Sequence, residues 1–232
     1  MGEEFSYTGR EELEQQLCLP RYNRHIASLF LKAIKPGQTL LDFGAGIGTI
    51  SALVREKARA QNMICVELDR DNIAALKEKK FEVLSDVSAC ADGSVDVIYS
   101  SNVLEHIEDD IAILKLLHVK LKPGGRAVFW VPAFPCLWTK MDERVKHYRR
   151  YTRETMIHAF TAGGFTVDKC FYQDSLGFFV TLLFKLIGSR DGRVSPASLK
   201  IYDRVIFPLS RLCDCVFSKF FGKNVVIYAR KS

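Results

Sequence analysis

The sequence predicts an α/β fold: a doubly wound, mostly parallel sheet of seven strands with a helical insertion towards the C-terminus. Three observations predict it. Short apolar runs alternate with stretches of helical periodicity as far as Val131. The first run passes straight into a glycine-rich loop. The last two strand-like runs are separated by about 45 residues, too many for a hairpin turn.

The elements follow in order. Pro20-Arg21-Tyr22-Asn23 opens a helical segment over His25 to Ile34, with Ile26, Leu29, Phe30 and Ala33 on one face, and Lys35-Pro36-Gly37 stops it. Strand-like runs recur at Thr39 to Phe43, Met63 to Glu67, Phe81 to Leu84, Val95 to Ser100 and Arg126 to Val131. Helical stretches such as Ile50 to Ala60 and Asn72 to Lys80 separate them. Such alternation implies right-handed crossovers, and places a ligand over the carboxyl ends of the strands. Leu121-Lys122-Pro123-Gly124-Gly125 reads as a tight turn into the fifth run, because Pro fixes φ and the glycines supply the reversal. Beyond Val131 come a loop rich in aromatics and charges, a helix from about Thr152 to Ala162, a strand from Phe165 to Tyr172, and an apolar-rich stretch from Leu176 to Phe221. Asn224 to Ala229 closes the chain as a strand. The expectation is one domain over residues 1–232, with an N-terminal helical segment (1–36) and a helical cap (about 176–221).

Composition narrows the class. With 232 residues, 48% hydrophobic and 26% charged, the chain has the make-up of a globular protein with a substantial core. The seven cysteines form no C-x-x-C pair and the charged N-terminus has no secretory apolar region, so they read as reduced thiols in a cytoplasmic protein. No metal is expected from them. A net charge of +6 permits anionic partners without demanding nucleic acid, and no apolar run reaches the about 18 residues of a spanning helix.

The chemistry starts at Asp42-Phe43-Gly44-Ala45-Gly46-Ile47-Gly48-Thr49. Glycines between a strand and a helix N-terminus let the backbone approach a ligand closely and adopt positive φ. The spacing Gly44, Gly46, Gly48 departs from G-x-G-x-x-G, with Thr49 where the third glycine of a dinucleotide site would fall. Asp42 would oppose a pyrophosphate but suits a cationic ligand. Glu67, about twenty residues on, ends the second strand where a carboxylate can accept hydrogen bonds from ribose hydroxyls.

These residues resemble the class I S-adenosylmethionine-dependent methyltransferases, whose D/E-x-G-x-G-x-G loop and acid-ended second strand match Asp42 to Gly48 and Glu67. The resemblance implies their Rossmann-like methyltransferase fold, with the last strand antiparallel beside the sixth. It also implies S-adenosylmethionine as cofactor, with S-adenosylhomocysteine as product. It assigns Asp42, Gly44, Gly46, Gly48, Glu67, Leu68, Asp86, Val87 and Asn102 to the cofactor: Asp86 to the adenine amino group, the backbone near Asn102 to the methionine moiety. The alternative reading of Asp86 is a solvated turn residue. Methyltransferases acting on nucleobase or glutamine amines carry Asn/Asp-Pro-Pro-aromatic after the fourth strand, and cytosine C5 enzymes a Pro-Cys nucleophile. Neither is present there, so no nucleic-acid partner is expected.

The segment from Val131-Pro132-Ala133 through Asp142 to His147-Tyr148-Arg149-Arg150-Tyr151 resembles a bacterial subgroup of these enzymes often associated with glycosyltransferases and surface-polysaccharide pathways. Arg144, Lys146, Arg149, Arg150 and Arg153 concentrate positive charge beside Tyr148 and Tyr151, a combination suited to phosphate and to sugar or isoprenoid faces. Asp142, Tyr148, Arg149, Arg150 and Tyr151 are therefore the candidate acceptor-binding set. The bland alternative is a basic face whose arginines pair with Asp142 and Glu143. His147 and His106 are the candidate bases, since imidazole titrates near neutral pH; His25, His118 and His158 sit in helical patterns and attract no role. Leu176 to Ile187 and Val205 to Phe221 read either as cap helices or as interfacial helices reaching a lipid-linked acceptor.

The function these signals imply is methyl transfer to an oxygen of a sugar-containing or polyprenyl-linked small acceptor, in a cytoplasmic protein with peripheral contact at the inner membrane face and no obligate protein partner. Alternatives are a quinone or other small-molecule methyltransferase and a non-catalytic cofactor-binding module. A nicotinamide oxidoreductase is disfavoured by Asp42 and the loop spacing.

Overall fold

The computed structural model describes residues 10–60, 62–187 and 193–232. Its sheet comprises β1 (Thr39–Phe43), β2 (Asn62–Val66), β3 (Glu82–Leu84), β4 (Val95–Ser101), β5 (Leu121–Pro132), β6 (Thr166–Gln173) and β7 (Asn224–Arg230) in the order β3-β2-β1-β4-β5-β7-β6. The first five are parallel, and β7 runs antiparallel between β5 and β6. The winding reverses between β1 and β4, which leaves a crevice over their carboxyl ends, the place where open α/β sheets bind ligands.

Helices cover both faces, so the central strands are apolar on both sides. Along β5, Val128 and Trp130 point to the face covered by α2 (Pro20–Leu31) and α3 (Thr49–Ala58), where they join Ile26, Phe30, Leu40, Val54 and Tyr99. Phe129 and Val131 point to the other face, against α5 (Asp110–Lys120) and α7 (Arg153–Ala162), with Leu114, Leu117, Met156 and Phe160. The remaining helices are α1 (Arg10–Gln16), α4 (Arg70–Glu78), α6 (Lys140–Arg144), α8 (Ser175–Ile187), α9 (Pro196–Ile201) and α10 (Phe207–Phe217).

Three boundaries differ from the sequence reading. Strand β5 starts at Leu121, paired with Val95, and the Lys122–Gly125 turn is accommodated as a register shift before Arg126 pairs with Val97. The edge strand β3 keeps three residues. Helix α2 begins at Pro20 rather than His25, because Pro needs no N–H partner at the first helical position and the next two N–H groups find one far away in sequence. Asp203 Oδ1 accepts from Arg21 N (3.0 Å) and Tyr22 N (2.9 Å).

Asp203 lies between β6 and β7, in a continuous helical run formed by α9, a π turn over Tyr202–Ile206, and α10. A second buried carboxylate, Asp214, does the same for α8: it accepts from Asp174 N (3.0 Å) and Ser175 N (2.8 Å), while Ser210 Oγ accepts from Leu176 N (2.9 Å). The inserted helices are thus fixed by capping hydrogen bonds at their buried ends. Their outward stripes are apolar. Phe179, Val180, Leu183 and Leu186 on α8, and Val205, Leu209, Leu212 and Val216 along the π turn and α10, are all exposed.

Candidate active site

The glycine loop turns sharply off β1. Gly44, Gly46 and Gly48 all have positive φ, and a Cβ on Gly44 would fall 2.2 Å from Val103 Cγ2, so the close approach of the loop to the end of β4 requires glycine. Asp42 is 3% exposed and accepts a hydrogen bond from Ser51 Oγ at 2.6 Å. Burial dominates its protonation and raises its carboxyl to about 7, against the lowering effect of Ser51.

Glu67 is half-buried and closes on the loop. Its Oε2 accepts from Gly46 N at 2.7 Å, and its Oε1 from Leu68 N and Asp69 N at 2.9 and 3.0 Å. The neighbouring Leu68 side chain is exposed. A cleft of about 340 Å³, open to solvent, is lined here by Leu13, Asp42, Gly44, Gly46, Thr49 and Ser101, among others. Two of its features escaped the sequence reading. Thr49 Oγ1 is buried without a hydrogen-bond partner among the described residues, and Leu13 of α1 leans over Gly46. An orphaned hydroxyl, a buried carboxylate and a half-buried one, around a loop that only glycine can form, fit a ligand carrying a cation and a diol.

Asp86 is exposed and caps the turn Val87–Ala89 through Ser88 N at 2.7 Å; that bond holds its carboxyl below the usual range. The turn-residue reading of Asp86 therefore describes its side chain here, and neither it nor the buried Val87 lines the cleft. Asn102 takes a left-handed conformation, φ 54°, with its N–H donated to Trp130 O at 2.8 Å. That geometry turns the chain away from β4 towards Glu105 and His106.

The segment after β5 folds back against this turn. Thr139 and Asp142 form a capping box on α6. Asp142, 1% exposed, accepts from His147 Nδ1 (2.8 Å) and from Arg150 through both Nε (2.8 Å) and Nη2 (2.9 Å). Burial opposes ionisation of Asp142, but the hydrogen bonds from His147 and Arg150 outweigh it and hold the carboxyl well below its usual range. His147 Nε2 lies 3.9 Å from Glu105 Oε1, and the His106 ring stands edge-on to that of His147 with centroids 4.5 Å apart. Burial lowers His106 to about 4, aided by the nearby His147. It raises the fully buried Glu105 to about 7.

These contacts give most of the candidate acceptor-binding set internal partners. Arg150 is a bidentate partner of Asp142 and also donates to Ala133 O; Arg149 Nη1 pairs with Asp110 Oδ2 at 2.8 Å; Tyr151, 2% exposed, donates to the same Asp110 oxygen at 2.7 Å. These three, with Asp142, hold the loop in shape through internal partners. Among the set, Tyr148 alone presents its ring to solvent, at 53% exposure.

Comparisons with known proteins identify the family and the fold. Residues 11–169 match a family model described as a methyltransferase domain. The ribosomal protein L11 methyltransferase of Burkholderia vietnamiensis is 30% identical over 125 residues, covering 52% of this chain and 39% of that protein. The chain thus spans well under half the length of this curated relative. Among solved structures, a complex between the Haloferax volcanii Trm112 methyltransferase activator and the putative methyltransferase superposes with a TM-score of 0.69 at 14% identity, covering 99% of both chains. A SAM-dependent methyltransferase from Archaeoglobus fulgidus gives 0.60 at 24%, covering 94% of both. The likeness to these structures is one of fold, whereas the family model takes in the glycine loop, Glu67, and the Glu105, His106 and His147 cluster. The chain belongs to the methyltransferase-domain family.

Proposed function

We propose that this protein transfers the methyl group of S-adenosylmethionine to an oxygen of a sugar-containing or lipid-linked acceptor. When bound, the cofactor supplies an electrophilic methyl on a sulfonium. Glu67 accepts from the ribose hydroxyls on the lone pairs left free by the loop. Asp42 and Thr49 face the cationic amino acid end, the backbone at Asn102 meets the methionine moiety, and Leu68, Asp86 and Val87 flank the adenine. The acceptor lies over the ends of β4 and β5, beside Tyr148. His147, its tautomer set by Asp142, takes up the acceptor's proton at Nε2, and the adjacent His106 ring keeps that position dry.

One observation carries the lipid-linked reading: the exposed apolar stripes of the inserted helices join the acceptor loop directly. Phe178 of α8 packs edge-on against Phe134 at 5.4 Å, and Lys185 Nζ donates to Cys136 O at 2.8 Å. Exposed Lys185, Arg204, Arg211 and Lys219 border the stripes, a pattern suited to an anionic lipid surface. Among the described residues, no helix is long and apolar enough to cross a membrane. The test is co-sedimentation with anionic vesicles, together with methyl transfer to polyprenyl-linked and free sugar acceptors. Vesicle binding that is lost in Phe179→Ser with Leu183→Ser, and turnover favouring the lipid-linked acceptor, are the expected results. A protein that ignores vesicles and methylates only free acceptors would overturn the lipid-linked reading.

A further inference from the structure

Glu105, His106 and His147 each offer a ligating atom, and the three atoms lie within 4.8 Å of one another. Glu105 is 0% exposed, and among the described residues neither of its carboxylate oxygens has a hydrogen-bond partner. A buried carboxylate without donors is costly unless a cation faces it. Both imidazoles are oriented from behind. His147 Nδ1 is taken by Asp142, which leaves Nε2 turned towards Glu105 Oε1, 3.9 Å away. The backbone of Val145 lies on the His106 ring and favours its protonated form. Histidines that ligate metals bind an outer carboxylate or carbonyl in this way, which fixes the ring and leaves one lone pair facing the ion.

We infer that Glu105, His106 and His147 form a binding site for one divalent first-row cation, Zn²⁺ foremost. Two imidazoles and one carboxylate are a donor set such ions take with a further position open to an oxygen ligand. Metal–ligand bonds of about 2.0–2.1 Å place tetrahedral ligand atoms about 3.3 Å apart, so the cluster closes by small side-chain rotations. The role of the open position rests on the reading above that this cluster faces the acceptor: an acceptor hydroxyl would occupy it. The proton uptake by His147 described above then belongs to the metal-free protein; in the loaded protein His147 holds the ion and the proton of a bound hydroxyl leaves to solvent water.

The experiment uses the full chain with the exposed Cys136 and Cys215 replaced by Ser, so that no surface thiolate competes for metal. After stripping with a chelator, Co²⁺ is titrated by visible absorption and Zn²⁺ by calorimetry, and cofactor affinity is measured separately on the stripped protein. The inference expects one equivalent of Co²⁺ with a low-symmetry protein-ligand spectrum. It expects affinity at least tenfold weaker in Glu105→Gln, and weaker by about 10- to 100-fold in Asp142→Asn through loss of the outer partner. A Co²⁺ spectrum like that of the hydrated ion, or equal stoichiometry and affinity in the wild-type protein and Glu105→Gln, overturns it. A stripped protein that binds S-adenosylmethionine but no metal overturns this inference alone, whereas one that binds metal but no cofactor overturns the proposed function.

Discussion

Replacing Glu67 by Ala tests the cofactor reading at its most local point. The carboxylate has two tasks here: it accepts from Gly46, Leu68 and Asp69 N–H at 2.7–3.0 Å, and it is proposed to accept from two ribose hydroxyls. A hydrogen bond to a charged group contributes about 1.5–3 kcal/mol. Two of them at a half-buried carboxylate, discounted by about half for competing water, come to about 1.5–3 kcal/mol of cofactor binding. That is a loss of about 10- to 150-fold in affinity. The three loop N–H groups can be re-solvated, so the variant should stay folded. Calorimetry with S-adenosylhomocysteine reads the affinity, and the same titration with its 2′-deoxy analogue separates the two tasks. The wild-type protein should discriminate against the deoxy ligand and Glu67→Ala should not. Unchanged affinity in Glu67→Ala, or discrimination that survives the substitution, would show that Glu67 only shapes the loop.

Three further outcomes follow from the same geometry. Burial raises the Asp42 carboxyl to about 7, so its contribution to folding is present below the unfolded value near 4 and lost as pH rises through 7. In the cofactor-free protein, Asp42→Asn should therefore gain about 2–4 kcal/mol over wild type between pH 5 and pH 8 by urea unfolding, and a constant difference would contradict the burial argument. Arg150→Ala strips a buried carboxylate of its bidentate partner and should cost about 3–5 kcal/mol, while Asp142→Leu with Arg150→Met should cost much less. Equal losses would mean that the pair itself carries the stability. Gly46→Ala places a Cβ 3.1 Å from Leu13 Cδ2 at φ 54°, and should weaken cofactor binding with a stability loss of about 1–2 kcal/mol; intact binding would put the cofactor elsewhere.

What could be read from the chain is what is local in it. The run from Leu40 to Thr49 and the acid at Glu67 announce strand, loop and acid because each signal is set by neighbours in sequence, and the sheet confirms the strands with small shifts at their ends. The polar partnerships were harder. The pairing of Asp142 with an arginine was foreseen only as the bland alternative, since a run of basic residues looks the same whether it waits for a phosphate or for a carboxylate that the fold brings in. Arg149 finds Asp110, and His147 finds Glu105, only after β4 and β5 align their ends. The orphaned Thr49 hydroxyl gave no signal, because a missing partner is a property of packing.

The motif Pro20-Arg21-Tyr22-Asn23 turns out to be a mechanical joint. Arg21 and Tyr22 give their N–H groups to Asp203 of the inserted helices, Tyr22 Oη accepts from Asn224 Nδ2 at 2.7 Å, and Asn23 Nδ2 donates to Gln16 O, the last carbonyl of α1, at 2.7 Å. Helix α1 carries Leu13, which leans on Gly46, so Arg21, Tyr22 and Asn23 join the inserted helices, the start of α2 and the segment over the glycine loop in one chain of contacts. Asn23→Ala cuts that chain at a single hydrogen bond, and is expected to loosen α1 from α2, read as faster hydrogen exchange over α1 with the glycine loop itself untouched.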